Sequence, residues 1–118
     1  MDIEQEIQAR GLTAPRITPA DIEAAIASEH YFTAADGVVG ERIKRTPYLM
    51  PCGVGPLELL TFCVLVLRNG FTVTGESACA SPENFDAELG RKIARQNAVA
   101  KVWPLMGYEL RTRLAEVK

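Results

Sequence analysis

An apolar run from Leu59 to Leu67 ends at Arg68-Asn69-Gly70, and a second run, Phe71-Thr72-Val73-Thr74, follows at once. The second run has the aromatic and β-branched residues that suit a half-buried strand. Two such runs joined by Asn-Gly predict a β-hairpin with a two-residue type I′ turn, because both central residues tolerate φ > 0. Gly75-Glu76-Ser77-Ala78-Cys79 reads as a small-residue exit from the second strand. Ser81-Pro82-Glu83-Asn84 then predicts a helix start, with Ser81 as N-cap, Pro82 at the first helical position and an acid in the first turn. Beyond it, apolar residues recur at Phe85, Leu89 and Ile93, then at Ala98, Val102 and Trp103, close to a 3.6-residue period. Pro104 interrupts this helix, since proline lacks the N–H that the ladder needs. Gly107 is a second break, and Tyr108 to Val117 forms a last helical segment with Leu110 and Leu114 inward.

Upstream, Asp2 to Arg10 has the pattern of a short helix stopped by Gly11, and Leu12 to Ile17, with Pro15, is a linker. Thr18 caps a second helix that has Pro19 at its first position and Ile22, Ala25 and Ile26 on one face, fading near His30. Tyr31-Phe32-Thr33 reads as a short strand, Asp36-Gly37 as a turn, and Val38 to Tyr48 as a further strand. Residues 47–56 hold Pro47, Pro51, Gly53, Gly55 and Pro56, too many breakers for a sheet interior. The fold class is therefore α+β: a small antiparallel sheet built on the central hairpin, packed with N-terminal and C-terminal helices. Residues 1–118 form one domain, with 1–17 a flexible segment or short helix and 18–118 the core. No internal repeat is present. The small, alanine-rich helix faces imply that another subunit buries part of the apolar surface.

Composition narrows the class. A chain of 118 residues is one domain's worth, and 47% hydrophobic residues suits a packed core rather than disorder. No segment approaches the roughly 18 unbroken apolar residues of a membrane span. The acidic start, Met1-Asp2-Ile3-Glu4, is unlike a secretion signal. Three cysteines, at 52, 63 and 79, show no CxxC spacing, which suits a reducing compartment and argues against a disulfide framework or zinc site. A cytoplasmic location is expected. The net charge of −2 conceals an asymmetry. Residues 1–36 carry seven acids against two bases, a balance of −5, whereas residues 90–118 carry seven bases against two acids, a balance of +5. Either the tail faces an anion, or the ends of neighbouring subunits attract, or both are solvated faces.

Catalytic machinery is hard to assemble from these residues, and no catalytic residue, metal ligand or cofactor is assigned. His30 is the only histidine, and no oriented base is evident for Ser77 beside Glu76. Phosphate-cradling loops and paired-carboxylate motifs are missing from the sequence. A site for a nucleotide-like anion is easier to build, because such a ligand needs an aromatic face, guanidinium groups and amides. Phe71, Phe85, Trp103 and Tyr108 supply faces; Arg91, Arg95, Arg111 and Arg113 supply guanidiniums; the helix start at Ser81 adds free N–H groups. Each has a plainer reading. Phe85 and Trp103 suit a core, and Arg91 with Arg95, one turn apart, suit a solvated face. Asn97 falls where the Phe85-Leu89-Ile93 stripe continues, so its amide must bond to backbone, to another subunit or to ligand.

The order Asn69-Gly70-Phe71, Gly75-Glu76-Ser77-Ala78, Pro82-Glu83-Asn84-Phe85-Asp86, Gly90, Ala94, Asn97-Ala98, Trp103, Gly107-Tyr108 and Leu110 resembles a family of small phage proteins over roughly residues 18–115. Within that family the chain looks like the Thoeris anti-defence sponges, which sequester the cyclic ADP-ribose isomers made by bacterial TIR-domain enzymes; some also hold cyclic oligonucleotides. The resemblance implies a homo-oligomer, a hexamer built from dimers, with ligands held between subunits and not turned over. It implies as partners cyclic ADP-ribose isomers and cyclic di- or trinucleotides, rather than membranes or nucleic-acid polymers. The ligand residues it points to are Asn84, Phe85 and Asn97 together with the tail arginines; Ser77, Arg91, Arg95, Tyr108, Arg111 and Arg113 complete the candidate set. Competing readings are a structural or interaction protein and a nucleic-acid accessory protein, the latter weakened by the negative net charge and the lack of a long basic stripe.

Overall fold

The computed structural model describes residues 2–46 and 55–116. It is α+β: four α-helices and a three-stranded antiparallel sheet in the order β1-β2-β3. Helix α1, Ile3–Ala9, is closed at its start by a reciprocal capping box between Asp2 and Gln5, and Gly11 follows at φ +65°. Helix α2, Pro19–Ala25, starts on the same kind of box between Thr18 and Asp21. The chain then enters β1, Ile26–Thr33, rather than continuing as helix to His30. Pairing along β2, with Tyr31 opposite Cys63 and Phe32 opposite Phe62, outweighs whatever helical preference Ile26-Ala27 carries.

The expected turn at Asp36-Gly37 and strand from Val38 are replaced by helix α3, Ala34–Arg45. Thr33 accepts from the Asp36 N–H at 3.1 Å, and Asp36 accepts from the Thr33 N–H at 2.9 Å, which nucleates the helix despite glycines at 37 and 40. Tyr48 and most of the breaker-rich loop lie outside the described residues; Gly55–Leu59 is a 3₁₀ turn.

Strands β2, Leu60–Leu67, and β3, Thr72–Ala78, form the expected hairpin, but not with a two-residue type I′ turn. Asn69 keeps a negative φ, and Gly70 alone is left-handed at +88°. The Gly70 N–H bonds to the Leu67 carbonyl at 2.8 Å, and the Leu67 N–H bonds to Phe71 at 2.8 Å, the pattern of a three-residue loop closed by a left-handed glycine. Asn69 instead uses its side chain, whose Oδ1 accepts the Phe71 N–H at 2.9 Å. The small-residue stretch Gly75 to Ala78 is strand, not strand exit.

Helix α4 runs unbroken over Ala87–Glu116, through Pro104 and Gly107. Its buried stripe is Gly90, Ala94, Ala98 and Val102, spaced four apart and one position on from the Leu89-Ile93 row expected to face inward. This stripe lies on Cys63, Leu65, Leu67 and Val73, and Ile22 completes the core. The approach is closest at Gly75, where an added Cβ would stand 2.2 Å from the Ala94 carbonyl oxygen and 2.2 Å from the Ala98 nitrogen. Only glycine fits there.

None of residues 103–116 is buried. A 30-residue helix is about 45 Å long, so its last turns extend past the sheet. The molecule accordingly measures 62 × 32 × 17 Å with a radius of gyration of 18.9 Å, against about 13–14 Å for a compact chain of this length. Among the described residues, no helix is long and apolar enough to cross a membrane.

Candidate functional site

Phe85 is the link between a short 3₁₀ turn, Pro82–Asn84, and α4. Its backbone is extended, at φ −69° and ψ 126°, so the helix does not start at Pro82. Ser81 makes no side-chain cap; its carbonyl accepts the Asn84 N–H at 3.0 Å and the Cys79 thiol at 3.2 Å. Asp86 starts α4 instead: Oδ1 accepts the Leu89 N–H at 3.1 Å and its carbonyl accepts the Gly90 N–H at 2.9 Å.

The half-buried Phe85 ring lines two small clefts. One, of about 160 Å³, is bordered by Ser77, Cys79, Asn84, Leu89 and Ile93. The other, of about 130 Å³, is bordered by Tyr31, Thr33, Asp36, Thr61 and Arg91. Four of the nine candidates, Ser77, Asn84, Phe85 and Arg91, therefore meet at one corner. Arg91 is exposed and makes no ion pair among the described residues. The β1 and α3 residues of the second cleft escaped sequence reasoning, although Thr33-x-x-Asp36 carried the capping signal that places them.

The remaining candidates lie elsewhere. Arg95 is held by Glu23 at 2.8 Å and Glu29 at 3.0 Å, clamping α4 to α2 and β1. The Tyr31 hydroxyl donates to Glu29 at 2.9 Å, and this bond, aided by Arg95, holds the Glu29 carboxyl below the usual range. Burial, then Glu29, pushes the Tyr31 hydroxyl up; burial likewise raises the Cys63 thiol beneath it. Arg95 itself is raised, chiefly by its bond to Glu23. Asn97 is exposed rather than buried in an apolar stripe, and its amide donates to the Glu76 carbonyl at 2.7 Å. Of the three partners open to it, it takes backbone. Tyr108 is 78% exposed, Arg113 pairs with Glu109, and Arg111 is exposed, all on the C-terminal half of α4. Cys63 and Cys79 are free thiols, and Cys52 lies outside the described residues.

The corner joins an aromatic ring, an amide, a hydroxyl and an unpaired guanidinium on an open surface, the equipment for holding a flat ring beside a negative charge. By architecture this is a small α+β protein in which one long helix crosses a three-stranded sheet and overhangs it. More particularly, the family model described as phage protein (N4 Gp49/phage Sf6 gene 66) family matches residues 17–114, and the chain belongs to that family. No curated protein and no solved structure matches it.

Proposed function

We propose that this phage protein binds and sequesters cyclic nucleotide immune signals, cyclic ADP-ribose isomers first among them, without turning them over. The observation that carries the reading is Phe85, exposed to two clefts, with Asn84 and Ser77 on one side and Arg91 on the other. In this reading the ring stacks on a base, Asn84 bonds to its polar edge or to ribose, and Arg91 faces a phosphate. The resemblance to the Thoeris anti-defence sponges supplies the ligand class.

The reading also calls for a homo-oligomer. Arg91 and Arg111 are twenty residues apart on one helix, about 30 Å along its axis, so a single subunit does not bring both to one small ligand. A second copy laying its overhanging helix against the corner would deliver Arg111, Arg113 and Tyr108 to Phe85. Trp103 and Leu114, each 37% exposed, are apolar groups on that overhang with surface to bury.

The deciding experiment incubates the protein with a cyclic ADP-ribose isomer, removes free ligand, denatures the protein by heat and assays the supernatant. Intact ligand released in proportion to protein is the expected result. Altered ligand identifies an enzyme, and ligand that never left solution returns the chain to an interaction role. Light scattering at micromolar concentration tests the assembly; a monomer there removes the basis for a site shared between subunits.

A further inference from the structure

We propose that the cleft between the hairpin turn and the middle of α4 is a separate binding site for a small planar aromatic acid, a ring bearing one carboxylate or phosphate. The cleft has a volume of about 370 Å³. Its floor is Leu67 and Met106, and its rim is Phe71 and Leu105, 56% and 41% exposed. Strand β3 separates it from the Phe85 corner: Phe71 precedes the first residue of the strand and Ser77 is near its end, about 20 Å away.

Arg68 gives the cleft its chemistry. Its backbone N–H donates to the Ala25 carbonyl at 2.9 Å and its Nε donates to the Ala24 carbonyl, so the C-terminal end of α2 holds it twice. The two terminal nitrogens have no partner among the described residues, and the guanidinium is oriented before any ligand arrives. A fixed fork at the mouth of an apolar cleft suits an anion attached to a flat hydrophobic body. Glu109, on α4, also lines the cleft and pairs with Arg113. Its carboxylate repels a second anion, so the ring rather than the charge of the ligand faces α4. An extended neutral ligand leaves the guanidinium unused, and a bare inorganic anion leaves Phe71 and Leu105 wet.

The test titrates the full-length protein with indole-3-acetate and with adenosine 5′-monophosphate, followed by amide chemical shifts and calorimetry, with adenosine and inorganic phosphate as controls. Saturable shifts at residues 67–71 and 105–109 are expected for at least one acid, and which acid saturates distinguishes carboxylate from phosphate. Arg68→Gln should weaken that binding about tenfold, the effect of losing a charge-assisted bond. Glu109→Gln should tighten it, an opposite change that no general loss of structure produces. Phe85→Ala should leave it unaltered. The proposal is overturned if neither acid saturates at millimolar concentration, if Arg68→Gln binds like the parent, or if the shifts gather around Phe85 instead.

Discussion

Phe85 and Gly75 place opposite demands on one residue each. The Phe85 ring is half-buried between two clefts, so truncation removes less packing than the roughly 3–5 kcal/mol typical of a full core phenylalanine. Under the proposed function, Phe85→Ala should lower ligand affinity by about 1–3 kcal/mol while the protein stays folded. Melting curves beside binding isotherms check this, and a collapse in melting temperature with the affinity of the folded fraction unchanged would make the ring a core group. Gly75→Ala should act the other way. The new methyl meets helix backbone at 2.2 Å, which no side-chain rotation relieves, so α4 must lift from the sheet. We expect a loss of about 1–3 kcal/mol or more by denaturant titration, and binding disturbed only through unfolding.

At the scale of elements, α4 shows how a breaker is overridden. Proline in a helix interior removes a hydrogen bond and crowds the preceding turn, at about 3 kcal/mol in an isolated helix. Pro104 nevertheless stands inside α4, one turn after Ala100, whose carbonyl has no N–H to accept from at that position. The preceding segment is anchored by Ala94, Ala98 and Val102, all fully buried, and the following turns propagate from it. Pro104→Ala should therefore stabilise the chain, by about 1–3 kcal/mol, seen as a higher melting temperature and slower amide exchange around residues 100–106. An unchanged melting temperature would show that the overhang is held by something other than its own ladder. The Thr33–Asp36 box and the Asp86 cap make a related point: local side-chain bonds, reciprocal at α3 and single at α4, decided where these helices begin, against the turn read at Asp36-Gly37 and the start read at Ser81.

For the whole molecule, acid exposes how the outlying pieces are tied down. Arg16 grips Glu4 through two bonds of 2.7 Å, fastening α1 to the segment before α2. That bond, with help from Gln8, lowers the Glu4 carboxyl from 4.5 to about 2. A carboxylate lowered on folding contributes stability that is complete above its ordinary value and is lost as pH falls through the folded one. The clamp should thus weaken between about pH 4.5 and 2, and Glu29, lowered by Tyr31 and Arg95, loosens the α4 clamp in the same direction. Because Glu4 lies at the surface, the effect should be small and salt-sensitive. A Glu4→Gln variant should show a shallower acid-side fall in melting temperature than the parent; parallel curves would mean that the clamp adds nothing.

The sequence alone determined the α+β class, the first two helix starts and the β2–β3 hairpin. These depend on local chemistry: caps, strand propensity and glycine. It did not determine which face of α4 is inward. Leu89 and Ile93 look like core residues by hydrophobicity, yet the helix buries Gly90, Ala94 and Ala98, because an approach as close as that at Gly75 admits only small side chains. Nor did it reveal that β1 reaches from Ile26, that Arg95 is committed to Glu23 and Glu29, or that Asn97 bonds to Glu76. Those partners are 21 to 72 residues apart along the chain. Periodicity reports which residues share a face, but only tertiary packing decides what that face meets.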